Sequence, residues 1–119
     1  TLPPANSSPP SLAVDSLMRS WVYIMTNKRQ NVLYVGVTTD LERRVLQHKT
    51  GFFPDAFTLK YRCHELIWFE ELENIEVANA QEKRIKRWRR AWKDAMIAKM
   101  NPDRKDLSEG WYDPRDLIP

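Results

Sequence analysis

Cys63 is the only cysteine in the 119 residues, so no disulfide can form within the chain. A lone thiol fits a cytosolic setting. No apolar run approaches the roughly 18 residues that span a bilayer, so no membrane-spanning helix is expected. Thr1 to Ser11 holds four prolines and no apolar segment behind a basic prefix, so it does not read as a secretory signal. There is no initiator Met, and the sequence is therefore expected to be a trimmed form. No His/Cys cluster has zinc spacing. No Walker-type glycine loop and no Ser-His-Asp pattern is found either.

What is present is an ordinary globular composition, 42% hydrophobic and 29% charged, long enough for one domain with a modest core. The net charge of +3 is mild, but it is unevenly spread. From Arg62 to Glu82 the only fixed cation is Arg62 itself, against Glu65, Glu70, Glu71, Glu73, Glu76 and Glu82. Then Lys83, Arg84, Lys86, Arg87, Arg89, Arg90 and Lys93 fall within eleven residues without one acid, with Trp88 and Trp92 between them. A block of this kind is an electrostatic footprint for phosphate, or else a solvated helix face.

Residues 1–19 read as a disordered Pro/Ser-rich arm, 20–112 as the folded domain and 113–119 as a tail. Trp21–Met25 is β-branched and aromatic, a strand. Thr26–Asn31 is polar, and Val32–Val37 is a second strand, so the two form a loose antiparallel hairpin. Alternation puts Tyr34 and Gly36 on one face and Leu33, Val35 and Val37 on the other. Thr39-Asp40-Leu41-Glu42 matches a capping box, and a helix follows with Leu41 and Val45 buried. Gly51 and Pro54 end it. Phe52–Tyr61 is a short helix or a loop. Glu65–Glu71 is a third strand.

Asn74 caps a helix over Ile75–Trp88, with Val77, Ala78, Gln81, Ile85 and Trp88 along its inner stripe. Arg89-Arg90 either continues it or marks a bend. A last helix runs to Met100 with Trp92, Ala95, Met96 and Met100 on one face, and Asn101-Pro102 stops it. The expected fold is α/β, a three-stranded antiparallel sheet flanked by helices in the order β-β-α-β-α-α.

Trp21-Val22-Tyr23, then Tyr34-Val35-Gly36, then Arg44 eight residues after Gly36, resembles the GIY-YIG nuclease family. The resemblance runs from about Ser20 to Leu107. It is closest to small stand-alone bacterial members related to the nuclease domain of the excision-repair incision enzyme. Trp21 stands where the family has its first glycine. Val37 and Thr38 stand where a basic residue is usual.

The resemblance implies a set of roles. Tyr23 and Tyr34 are the family's two tyrosines, with Tyr34 close to the attacking water. A phenol of ordinary pKa near 10 is a poor base unaided, and a nearby metal ion or cation can favour its ionised form. Arg44 is the catalytic arginine, whose planar fork of donors suits phosphate oxygens. Arg43 is expected to point about 100° away around the helix. His48 shares a helix face with Arg44, in a place where the family often has Tyr or His, and can relay a proton. Glu82 falls at the family's single metal-binding glutamate, for Mg²⁺ or Mn²⁺. Read alone, Glu82 would simply pair with Lys86 at i,i+4.

Gly36 in a strand suggests close approach, here room for a phosphate or water. Asn101 corresponds either to a late family asparagine near the active site or to a helix stop. His64 reads as structural. The implied function is metal-dependent hydrolysis of DNA phosphodiesters, in repair or recombination, in the cytoplasm, with a protein partner supplying specificity. The alternatives are a non-catalytic nucleic-acid-binding module, carried by the basic block, and an interaction domain docking through its acidic stretch.

Overall fold

The computed structural model describes residues 18–51 and 60–117. The arm over 1–17 and most of the Phe52–Tyr61 stretch lie outside the described residues. Strands β1 (Ser20–Thr26), β2 (Leu33–Thr38) and β3 (Glu65–Leu72) form one antiparallel sheet in the order β2-β1-β3. Helix α1 (Leu41–Thr50) follows β2, and helices α2 (Ile75–Arg87) and α3 (Arg90–Met100) follow β3. The element order β-β-α-β-α-α is the expected one.

The hairpin is closed by side chains. Asn27 Oδ1 accepts the backbone N–H groups of Asn31 and Val32, and Gln30 takes a left-handed φ of 57°. The register pairs Tyr23 with Gly36 and Met25 with Tyr34. Period-two alternation then sorts the core into two clusters. Val22, Ile24, Val35 and Ile67 pack with Ala78, Ile85 and Ile97 of α2 and α3. Tyr23, Met25 and Leu66 pack with Leu41 and Val45 of α1. The sheet is therefore covered on both faces, and β2 is one of its two edges.

The cap of α1 differs from expectation by one position. Asp40, not Thr39, is the N-cap, because its carboxylate reaches the Arg43 N–H at 3.2 Å. The Thr38 hydroxyl accepts the Asp40 N–H and fixes that turn. Gly51, at φ 80°, closes the helix in the left-handed conformation that favours glycine. Asn74 caps α2 through the Val77 N–H at 2.9 Å. The arginine pair marks a bend: Trp88 and Arg89 are extended, and a new helix starts at Arg90.

Two predicted faces need correction. Val77 on α2 is exposed, and only Ala78 and Ile85 are buried there. On α3 the buried residue is Ile97, while Trp92 and Met100 are exposed. The line of α3 that meets the core runs through Ile97 with Met96 beside it, so Trp92, Ala95 and Met100 fall to its solvent side.

Asn101 is buried and ends α3. Its amide donates to the carbonyls of Ile67 and Lys105, and its oxygen accepts the Lys105 N–H. It is a tether between α3 and β3. Beyond it, Asp106 binds Lys49 Nζ at 2.6 Å and accepts the N–H groups of Leu66 and Ser108. Burial works against this carboxylate, but Lys49, Ser108 and the two backbone donors hold it below the usual range. The strap fastens the end of α1 to β3.

Candidate active site

Tyr23, Tyr34 and His48 meet on the α1 face of the sheet. Tyr23 comes from the central strand, Tyr34 from the edge strand and His48 from the last turn of α1. The Tyr23 hydroxyl and His48 Nε2 are 2.9 Å apart in a buried hydrogen bond. The His48 ring stands edge-on to Tyr23 at 5.5 Å and to Tyr34 at 5.3 Å between centroids. The two tyrosine rings are 6.3 Å apart.

Depth separates the three. Tyr23 is fully buried and His48 is 3% exposed, whereas Tyr34 is only half-buried. Tyr34 is thus the ring of the three that reaches the surface. Tyr23 and His48 stand behind it and set its position.

Gly36 serves this packing. A Cβ built there would lie 2.6 Å from both Cζ and the hydroxyl oxygen of Tyr23. The expected space for a phosphate is filled by the Tyr23 phenol. The glycine is needed because its cross-strand partner lays its ring over it.

Arg44 is half-buried on the first turns of α1. With Thr38, Thr39, Asp40, Arg43 and Gln47 it lines a groove of about 400 Å³ at the end of β2. Arg43 was expected to point elsewhere, but a groove that wraps the helix N-terminus takes both arginines. Thr38 and Gln47 were not foreseen from the sequence, because neither type signals chemistry by itself. The C-terminal segment adds Tyr112, which donates to the Glu42 carbonyl at 2.6 Å. Burial, then the charges of Glu42, Asp106 and Asp40, push its phenol well above the usual value, so it stays a proton donor. It pins the turn of α1 that carries Arg43 and Arg44.

The basic block divides by role. Arg90 donates to the carbonyls of Asn31 and Gln30 at 3.1 and 3.0 Å and pairs with Asp94. It clamps the hairpin loop to α3, so the expectation that it holds phosphate is corrected: all three of its guanidinium nitrogens donate within the chain, two to backbone carbonyls and one to Asp94. Arg84 binds the Gln81 side chain. Lys83, Arg87 and Arg89 are exposed. Lys86 and Lys93 line a groove of about 260 Å³ with Leu33, Tyr34 and Val35 of the edge strand.

Glu82 sits on α2 with its side chain 17% exposed, and Lys86 pairs with its Oε2 at 2.8 Å. The i,i+4 pair is thus real. Among the described residues no group of three His, Cys, Asp or Glu could hold a metal. One carboxylate still fits Mg²⁺ or Mn²⁺, hard ions that keep several waters and share substrate phosphate oxygens. His64, outside the site, is exposed, and its carbonyl accepts from Lys49. Partial desolvation by its neighbours, then the charges of Lys49 and Arg62, hold its imidazole below the usual value.

Residues 19–95, more than half of the chain, match the family model of the GIY-YIG catalytic domain. The chain belongs to the GIY-YIG family. That family is one of nucleases, and its fold is the three-stranded sheet with helices seen here. Among similar proteins is a UPF0213 protein of Syntrophus aciditrophicus (strain SB), 30% identical over 88 residues, spanning 74% of this chain and 99% of that protein. The UPF0213 protein YhbQ of Escherichia coli O127:H6 is 31% identical over 81 residues, 68% of this chain and 80% of that one. The solution NMR structure of a UPF0213 protein from Bacillus halodurans aligns at 23% identity, covering 78% of this chain and 98% of that one, with a TM-score of 0.47. The relatives of this GIY-YIG domain are thus small bacterial proteins. No helix among the described residues is long and apolar enough to cross a membrane.

Proposed function

We propose that this GIY-YIG protein is a Mg²⁺- or Mn²⁺-dependent endonuclease that hydrolyses DNA phosphodiester bonds in repair or recombination. Its setting is the cytoplasm, and a protein partner supplies specificity. The observation that carries this reading is the arrangement along edge strand β2. Its Leu33–Val35 segment borders the groove with Lys86 and Lys93, and its Thr38 end borders the groove with Arg43 and Arg44. Tyr34 lies on this strand, backed by His48 and Tyr23.

A strand laid along β2 meets cations at both ends and a phenol between them. Lys86 and Lys93 hold backbone phosphate. Arg44 presents its planar fork to the scissile phosphate and stabilises the charge that grows on its oxygens. Tyr34 orients the attacking water and takes part in removing its proton. His48 and Tyr23 pack against the Tyr34 ring and fix its position, and the proton passes on to solvent at the half-buried Tyr34. The water oxygen forms the new bond to phosphorus, the opposite P–O bond breaks, and the leaving oxygen is protonated from solvent. Glu82 would hold the metal, which when bound supplies Lewis-acid polarisation of the phosphate.

Replacing Glu82 by Gln keeps size and removes charge. The expected outcome is loss of cleavage by a factor of about 10² or more. DNA affinity should be unchanged or slightly tighter, since Lys86 is released from its ion pair. Cleavage in Mg²⁺ and fluorescence-anisotropy binding in EDTA measure the two separately. Normal cutting by Glu82→Gln would place the metal elsewhere. A wild type that binds DNA but cuts nothing in Mg²⁺ or Mn²⁺ would favour the second reading, a binding module. The Lys86–Glu82 pair supports that alternative, because it already occupies the proposed metal ligand.

A further inference from the structure

The bend between α2 and α3 presents an aromatic surface that the catalytic reading does not use. Trp92 is 54% exposed, an unusual position for the largest side chain. It is also held in place. Its ring stands edge-on to Trp88 at 6.2 Å, and Trp88 packs against the core cluster that includes Val35 of β2 and Ile85 of α2. Arg89 lies over the Trp92 ring, its guanidinium carbon 5.2 Å from the centroid.

The start of α3 is locked as well. Arg90 grips the carbonyls of Gln30 and Asn31, Asp94 accepts from both Arg90 and Arg104, and Gln30 donates to the Arg104 carbonyl. Burial opposes the Asp94 charge, but the Arg104 and Arg90 donors hold its carboxyl below the usual range. An exposed indole is thus fixed beside Arg89. The next residue, Lys93, lines the groove on the Tyr34 segment of β2.

From this geometry we infer that Trp92 is a stacking platform for an unpaired base, so the preferred substrate class is nucleic acid with a single-stranded segment. The inference rests on the nucleic-acid reading above and narrows it. Bases within a duplex keep their faces covered by their neighbours, so a protruding indole finds a π-face only where a strand is unpaired. Stacking on aromatic side chains is how sequence-tolerant single-strand binders gain affinity, and a nearby arginine adds to it. A strand stacked on Trp92 would pass its adjoining phosphate to Lys93 and run on toward Tyr34. The charge argues against a protein occupant. No acid lies between Lys83 and Lys93, so an apolar partner seated on Trp92 would desolvate the Arg89 guanidinium with no acid of this segment to compensate.

The test compares binding of a single-stranded oligonucleotide and a blunt duplex of equal length, by fluorescence anisotropy in EDTA, so that cleavage does not enter. The variants are Trp92→Leu, which keeps an apolar contact for Trp88, and Trp92→Phe, which keeps a π-face. The expected result is single-strand affinity weakened about tenfold or more in Trp92→Leu, duplex affinity within about twofold, and most of the loss recovered in Trp92→Phe. Equal weakening on both ligands, no weakening on either, or a Phe variant as weak as the Leu one would overturn the platform while leaving the nuclease reading standing. A wild type that binds neither ligand at low salt would overturn both, and would make Trp92 a protein-docking residue. Circular dichroism of both variants confirms that the comparison is between folded proteins.

Discussion

A Gly36→Ala protein is expected to lose about 2–3 kcal/mol of stability, with its midpoint of thermal unfolding lowered by roughly 10–20 °C. The added Cβ would meet Cζ and the hydroxyl of Tyr23 at 2.6 Å and Cε1 at 2.9 Å. These atoms are the rigid end of a fully buried ring, not a flexible tail that can swing aside. The ring is held by His48 through its hydroxyl and by the packing around Met25, Leu41 and Val45. To relieve the clash, Tyr23 must move or the β1–β2 pairing must open. Either one displaces His48 and Tyr34, so cleavage should fall together with stability. Thermal denaturation measures the first effect. A double-mutant cycle with Tyr23→Leu measures the coupling, because once the ring tip is gone the added methyl should cost less, and the two losses should be less than additive. If Gly36→Ala melts with the wild type, the glycine has no such packing role.

Tyr34→Phe should lower the cleavage rate by about 10²–10⁴ while leaving the melting temperature nearly unchanged. The change removes one oxygen and preserves the ring that packs against Tyr23 and His48. Tyr23→Phe should behave in the opposite way. It leaves His48 Nε2 without its buried partner at 2.9 Å, which costs about 1–3 kcal/mol, and it affects cleavage only through the positions of His48 and Tyr34. Single-turnover rates and thermal melts on the two variants separate the roles. Should the folded Tyr34→Phe protein cut at the wild-type rate, the proton must leave the water by another route.

Much of this architecture can be read directly from the residues. Alternation in Leu33–Val37 placed Tyr34 and Gly36 on one face, and the polar stretch from Thr26 to Asn31 marked the turn. Asn74 announced the start of α2 because its short side chain can reach the Val77 N–H. The eight-residue step from Gly36 to Arg44 pointed to the helix turn now seen beside the β2 groove. Tertiary contacts stayed hidden for definite reasons. Whether Gly36 faces a ligand or a neighbouring ring depends on which residue of β1 lies across from it, and register is a matter of pairing between strands. Arg90 looks like any other cation of its block until Gln30 and Asn31 are brought under it from a loop some 60 residues away in the chain. The stripe on α3 failed because apolar residues stand on more than one side of this helix, and only the packing of Ile97 and Met96 on the core decides which side is buried. Asp106 carries a turn signal in Asp-Leu-Ser, but its bonds to Lys49 and Leu66 are long-range and leave no local trace.

The central claim is that one strand edge, bordered by Arg44 and served by Tyr34, hydrolyses phosphodiesters. The most direct measurement is single-turnover cleavage of labelled DNA, single-stranded, duplex and branched, by wild type and Arg44→Ala in Mg²⁺, with matched circular dichroism. The wild type should cut and the folded Arg44→Ala protein should be slower by about 10²–10³ or more, because the guanidinium acts on charge present only in the transition state. Near-normal cutting by the folded variant would contradict the account.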